Sequence, residues 1–187
     1  MKYSKKKVTV LLADGFEEIE ALTVVDLLRR AKVYVDTVSI TDDYTVRGAH
    51  GIPVQTEDLI TEIDFKESDM IVLPGGMPGT TNLKEDENVR KAVQEAYDDG
   101  RYVAAICAAP TILADMGLLK GKRATCYPDM ESEIEDAYLT GAPVATDENI
   151  ITSQGVGTAI DFALKLIEVL ISEEKAVEIA DSIVYQR

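Results

Sequence analysis

The stretch Tyr102-Val103-Ala104-Ala105-Ile106-Cys107-Ala108-Ala109-Pro110-Thr111-Ile112-Leu113 decides the fold. An apolar run ends at a cysteine, then small residues and a proline lead into a second apolar stretch. That order reads as a buried strand, one abrupt turn, and a helix with proline near its first turn. A thiol at such an elbow faces the amides that open the helix. Those amides and the helix dipole favour thiolate over thiol. Ala108 and Ala109 permit the sharp turn and leave room for a substrate. The same logic places nucleophilic serines at strand-to-helix elbows in hydrolases. A buried structural cysteine explains the position equally well, because free cysteine is among the most buried residue types.

Upstream, Val8 to Leu12 is a strand without clear alternation, which suits burial on both faces of a parallel sheet. Glu17 to Arg30 is helical and Val33 to Ile40 is a second strand. Thr45 to Gln55 is an extended excursion with turns at Gly48 and Gly51-Ile52-Pro53. Met70 to Leu73 is a short buried strand that ends in Pro74-Gly75-Gly76. The helix Glu87 to Tyr97 closes at Asp98-Asp99-Gly100. Downstream of the cysteine, Thr111 to Met116 continues the helix and Arg123 to Cys126 is a short strand. The acidic Asp129 to Asp136 reads as a solvated helix face. Val144 to Thr146 and Asn149 to Thr152 form a hairpin around Asp147-Glu148. Thr158 to Ile171 and Glu174 to Ile179 are the closing helices. Strands alternating with helices predict an α/β layered fold around a mostly parallel sheet, with its site at the carboxyl ends of the strands. Asp14 to Glu20, Gly75-Gly76 and Cys107 all fall there.

The chain has 187 residues, which suits a single domain over residues 1–187 with one substantial core. A formal net charge of −15 argues against nucleic acid and anionic membrane surfaces as partners. Two cysteines and no secretory pattern predict a reducing, cytoplasmic setting. The lysine-rich start, Met1 to Lys7, imitates a signal n-region, but the apolar stretch Val8 to Ala13 is too short to follow it as an h-region. No apolar stretch approaches bilayer-spanning length.

Glu20 is the second informative residue. At about 100° per residue it falls between Leu27 and Val24, inside the apolar arc of the first helix. A carboxylate on a core-facing stripe is costly unless it is paired or protonated. A protonated Glu20 would donate a hydrogen bond to a Cys107 thiolate. An acid complementing the helix dipole is the alternative, and Glu17 and Glu18 fit that role as well. Gly75-Gly76 lets backbone amides approach a ligand and hold a developing oxyanion, although a tight turn would look the same. Gly155-Val156-Gly157 matches no phosphate-binding pattern and reads as packing. His50, the only histidine, sits in a glycine-flanked loop and reads as a surface residue. Tyr127 and Asp129 lie just beyond the strand that ends at Cys126. Tyrosine is a poor general base near neutral pH, since its reference pKa is about 10. Two cysteines and one histidine are too few for a structural zinc, so no metal is expected.

Four ordered motifs together resemble the ThiJ/PfpI family of the class I glutamine-amidotransferase-like superfamily. They are Leu12-Ala13-Asp14-Gly15-Phe16-Glu17-Glu18-Ile19-Glu20, Val72-Leu73-Pro74-Gly75-Gly76, Ala104-Ala105-Ile106-Cys107-Ala108-Ala109-Pro110 and Thr152-Ser153-Gln154-Gly155-Val156-Gly157-Thr158. The resemblance covers roughly Lys7 to Val184. It implies a flavodoxin-like three-layer α/β/α sandwich, usually a homodimer. It also implies Cys107 as nucleophile, Glu20 as the acid touching it, Gly75 and Gly76 (with Ala108) as oxyanion or substrate amides, and Arg47 near the thiol at the dimer interface. Where better-studied members carry a histidine beside the cysteine, this chain has Tyr127. Gln154 stands where some relatives have arginine.

The function expected is a cysteine-dependent, cofactor-independent enzyme acting on a small-molecule aldehyde or glycated substrate, of glyoxalase or deglycase type. A redox-sensing stress chaperone with an oxidisable cysteine is the rival, and an intracellular peptidase or amidase ranks third for want of a suitably placed histidine.

Overall fold

The computed structural model describes residues 4–186, so Met1 to Tyr3 of the lysine-rich start lie outside the described residues. Strand β1 (Lys7–Leu12) leads through helix α1 (Glu18–Arg30) to β2 (Tyr34–Ser39). The excursion holds β3 (Thr45–Arg47), β4 (Pro53–Gln55) and β5 (Asp58–Leu59). Next come β6 (Met70–Leu73), α2 (Gly79–Glu85), α3 (Glu87–Asp98), β7 (Tyr102–Ile106) and α4 (Pro110–Asp115). The chain closes with β8 (Arg123–Ala124), β9 (Tyr138–Leu139), β10 (Val144–Asp147), β11 (Ile150–Ser153), α5 (Ala159–Leu170) and α6 (Glu173–Ser182).

Seven strands form the central sheet in the order β10-β11-β7-β6-β1-β2-β5. Every neighbouring pair is parallel except β10 with β11. Without its edge strands the order is β2-β1-β6-β7-β11, the flavodoxin-like doubly wound arrangement, and it reverses between β1 and β6. Successive β1 side chains leave the pleat on opposite faces. Val8, Val10 and Leu12 join one core with α1, α5 and α6, while Leu11 and Ala13 join a second core with α3 and α4. Two apolar faces explain why β1 shows no alternation. Fully buried side chains such as Phe162 and Ile112 each contribute about 1.5–3 kcal/mol by leaving water.

Three segments depart from the sequence expectation. Arg123 to Cys126 supplies only β8, which pairs with β9 in a separate two-stranded ribbon and does not extend the main sheet. The acidic stretch forms a 3₁₀ turn at Pro128–Glu133 where a helical face was expected, because proline opens it and none of its residues is buried. α2 has no apolar period to announce it, with only Gly79, Thr80 and Leu83 buried.

Candidate active site

Strand β7 ends at Ile106 and α4 begins at Pro110, so the backbone reverses within Cys107, Ala108 and Ala109. Cys107 takes a φ of 64°, a left-handed conformation that costs a non-glycine residue about 1–3 kcal/mol. Its neighbours hold it there. Its N–H donates to the Ser153 carbonyl at 3.0 Å, and its own carbonyl accepts from the Tyr127 N–H at 2.8 Å. Thus β11 and the Tyr127 segment clamp the elbow. The half-buried Cys107 lines a cavity of about 530 Å³ together with Glu17, Glu20, Gly76, Tyr127 and the turn over residues 154–158.

Glu20 reaches the thiol from the first turn of α1, whose N-cap is Glu17. It is completely buried. Its Oε2 accepts the Gly75 N–H at 2.9 Å. Its Oε1 is buried and, among the described residues, has no hydrogen-bond partner other than the Cys107 sulfur. Oε1 and Cys107 Sγ look onto the same spot beside Gly155, where a Cβ would lie 3.8 Å from the oxygen and 3.9 Å from the sulfur. Gly75 must be glycine for a local reason. A Cβ there would meet Cys107 Cβ at 2.6 Å and Glu20 Oε2 at 2.7 Å.

The two side chains titrate as a pair. Burial pushes the Glu20 carboxyl up to about 7, helped by the Glu17 charge and opposed by Cys107 and the Gly75 amide. Burial, together with a charged Glu20, pushes Cys107 up to about 12, against the pull of the Ala108 and Gly76 amides on the sulfur. Once either group is ionised, the other is held protonated. The expectation of a simply depressed thiol is corrected to that extent: its two helix-opening donors are present, but burial and a neighbouring carboxyl act against them.

Gly75, Gly76 and Ala108 all come to the site, in different roles. The Gly75 amide is engaged by Glu20, whereas the Gly76 and Ala108 amides face the sulfur. Tyr127 lines the cavity with its ring against Gly155. Arg47 does not line it: its guanidinium donates to the Gly51 carbonyl at 2.9 Å. Cys126 is buried behind Tyr127 and donates its S–H to the Tyr127 carbonyl at 3.3 Å. Burial pushes that thiol up to about 11. Gly155-Val156-Gly157, read from sequence as packing, forms part of the cavity wall. The signal was available, because this turn follows β11 and so sits at a strand's carboxyl end like the other site segments. Glu17 lines the cavity as well. His50 does not; its ring lies on Glu18 at 2.8 Å.

A family model described as DJ-1/PfpI family matches residues 6–169. The Arabidopsis thaliana protein DJ-1 homolog B is 40% identical over 186 residues, 98% of this chain, and the chain spans only 42% of that relative's length. A Schizosaccharomyces pombe protein described as glutathione-independent glyoxalase DJ-1 is 33% identical, covering 90% of this chain and 93% of the relative. Among solved structures, Toxoplasma gondii DJ-1, described as oxidized, superposes with a TM-score of 0.92 at 36% identity over 97% of this chain and all of the other.

Proposed function

The chain belongs to the DJ-1/PfpI family, and on that premise we propose that it is a cysteine-dependent enzyme acting on small reactive carbonyls, with Cys107 as nucleophile and Glu20 as proton carrier. The observation that carries this reading is the buried Glu20 Oε1, which has no partner other than the Cys107 sulfur, a sulfur that already has amide donors. A buried carboxylate oxygen without a donor is costly. Placing the proton on Oε1 removes that cost and gives the sulfur a third hydrogen-bond donor. The pair's single negative charge then sits on Cys107, and the higher of its two titrations is the loss of the last proton.

With a 2-oxoaldehyde in the cavity, the thiolate attacks the aldehyde carbon. A C–S bond forms, the C=O π pair moves onto oxygen, and that oxygen takes the Glu20 proton to give a hemithioacetal. The Gly76 and Ala108 amides, relieved of the sulfur's charge, are positioned to hold this oxygen. Glu20, now a carboxylate, removes the adduct's C–H proton to form an enediolate; the hydroxyl proton passes from the first oxygen to the second, and Glu20 returns its proton to the adjacent carbon as the first carbon becomes a thioester carbonyl. The resulting thioester is hydrolysed by water to a 2-hydroxy acid and free thiol. Electrons and atoms balance without an external oxidant or reductant.

The relative named as a glutathione-independent glyoxalase supports this class of substrate. The solved relative described as oxidized supports a second reading, in which Cys107 is an oxidisable sensor. A peptidase reading lacks its base, because His50 does not line the thiol cavity. We further propose a homodimer that uses exposed Ile19 and Leu22 of α1 with Ile52 of the β3–β4 excursion, and a reducing compartment in which both cysteines are free. Among the described residues no helix is long and apolar enough to cross a membrane.

The deciding experiment is steady-state turnover of a panel of aldehydes, without glutathione, by wild type and Cys107→Ser. Turnover of methylglyoxal that vanishes in Cys107→Ser supports the enzyme. Equal turnover in both proteins, or none in either, sinks it. Light scattering that returns the monomer mass across micromolar concentrations removes the dimer.

A further inference from the structure

Outside the thiol–carboxyl pair, one grouping of metal-ligating side chains stands out among the described residues: Glu17, Glu18 and His50, whose ligand atoms all lie within 4.8 Å of one another. The grouping joins the start of α1 to the turn of the β3–β4 excursion. Nothing in the carbonyl chemistry uses it as a unit.

The backbone pre-orients its carboxylates. Glu18 is buried, and its Oε1 accepts N–H bonds from His50 at 2.8 Å and Ile52 at 3.4 Å. That leaves Oε2 facing the His50 ring, with Nδ1 at 2.8 Å. Glu17 repeats the division of labour. Its Oε1 accepts the Ile19 N–H at 3.5 Å, and its Oε2 stands 3.6 Å from the same Nδ1. The turn is built closely onto Glu18, since a Cβ on Gly48 would strike the Glu18 carboxyl carbon at 2.3 Å. Backbone donors on the outer oxygens are the kind of supporting shell that fixes metal-ligating carboxylates.

The two spacings from His50 Nδ1 suit a small tetrahedral ion. Ligands at about 2.0–2.1 Å from zinc and at tetrahedral angles stand about 3.3 Å from each other. The distances from Nδ1, 2.8 Å to Glu18 and 3.6 Å to Glu17, bracket that value. The ring is largely exposed, so a fourth position is open to water. One imidazole and two carboxylates make a donor set for zinc-class ions more than for magnesium or calcium, which take oxygen ligands in larger number.

We propose that Glu17, Glu18 and His50 form a binding site for a divalent cation of the zinc class, at the junction of α1 and the β3–β4 turn. All three ligands come from one chain, so the site does not depend on a second copy. Glu17 also lines the thiol cavity, so the two sites share a wall. Without metal, a protonated His50 lies between the same carboxylates as an ordinary ion pair, and that is the competing account of the geometry.

The test is zinc titration by calorimetry in the Cys107→Ser background, which removes the accessible thiol as a ligand. Saturable binding of one zinc per chain is expected. His50→Ala should weaken it at least about 10-fold, as should Glu17→Gln. His50 is largely exposed, so loss of binding in His50→Ala will not reflect a buried substitution. Cobalt(II) should give the visible bands of a tetrahedral nitrogen–oxygen site, absent in His50→Ala, and excess magnesium should not displace zinc. No saturable binding at micromolar zinc, or binding that survives His50→Ala unchanged, overturns the proposal in favour of the ion pair. Because the readout is metal binding in a protein without its nucleophile, it stands or falls separately from the carbonyl chemistry.

Discussion

Cys107 and Cys126 lie on either side of the Tyr127 segment and differ in almost everything except residue type. Cys126 is buried and Cys107 half-buried, and burial raises both thiols. Cys107 occupies a left-handed elbow, receives the Ala108 and Gly76 amides, and faces a buried carboxyl. Cys126 follows a short ribbon strand and donates to a carbonyl, with the negative charges of Glu131 and Glu133 adding to its elevation. Burial alone therefore does not distinguish a reactive cysteine from a structural one. The distinction lies in the groups that supply hydrogen bonds to an anion and in the backbone conformation that aims the sulfur at them.

The largest effect that could break this comparison is on turnover. Cys107→Ser should lower kcat/KM for methylglyoxal by at least about 10³-fold, whereas Cys126→Ser should stay within about 2-fold. If the two substitutions cost the same, the division between them is wrong. Gly75→Ala should follow at about 10²-fold, because its methyl group would wedge between Cys107 and Glu20 and displace both. A Gly75→Ala protein with normal kinetics would show that the pair's geometry does not matter.

Titration sharpens the same contrast. In Cys126→Ser, ultraviolet thiolate absorbance should appear below the free-thiol value of about 8.5, because on the proposed reading the pair's first charge settles on Cys107. In Cys107→Ser it should rise only near 11. Glu20→Leu removes the donor to the sulfur and should move the Cys107 midpoint upward. Absorbance that appears in Cys126→Ser only well above the free-thiol value of about 8.5 would put the charge on Glu20 and leave no nucleophile at neutral pH.

Glu20 also makes stability depend on pH. Beside Cys107 its carboxyl is raised from the ordinary 4.5 to about 7, so between those values the folded pair keeps both of its protons while the unfolded chain has lost one. The associated stability is fully present below about 4.5 and is lost as pH rises through about 7. Glu20→Gln has no such loss. It should be more stable than wild type at pH 8 by on the order of 3 kcal/mol, and the two should converge near pH 4. Parallel denaturant curves at the two pH values check this, and a constant difference would mean that Glu20 is not raised.

Much of this was legible in the sequence, for identifiable reasons. The parallel sheet follows from apolar runs with no alternation, and Cys107 from its place between such a run and Pro110. Glu20 declared itself as a charge on an apolar arc. What stayed hidden depends on contacts distant in the chain. Gly75 looked like an oxyanion donor, and only the fold shows its amide engaged by Glu20, 55 residues away. Gly155 to Gly157 looked like packing because it matches no phosphate-binding pattern, although its place after a strand put it at the sheet's carboxyl edge. His50 looked like a lone surface residue, and its partners Glu17 and Glu18 lie more than 30 residues upstream. Arg47 was expected near the thiol at a dimer interface from resemblance alone, and within the single chain its guanidinium donates to the Gly51 carbonyl.

The smallest expected effect concerns the residue between the two cysteines. Tyr127 holds the elbow through its backbone, since its N–H meets the Cys107 carbonyl and its own carbonyl receives the Cys126 thiol. Any residue with an N–H keeps those bonds. Its ring lies against Gly155, and its hydroxyl makes no hydrogen bond among the described residues. The side chain should therefore act as a wall, with proton transfer left to Glu20. Tyr127→Phe keeps the wall and should change kcat/KM by less than about 3-fold, while Tyr127→Ala opens the cavity and should raise KM more than it lowers kcat. A pH–rate profile that loses its alkaline limb in Tyr127→Phe would give the hydroxyl a proton to carry and take part of that role from Glu20. Unchanged profiles in both variants would leave Cys107 and Glu20 as the pair on which the chemistry rests.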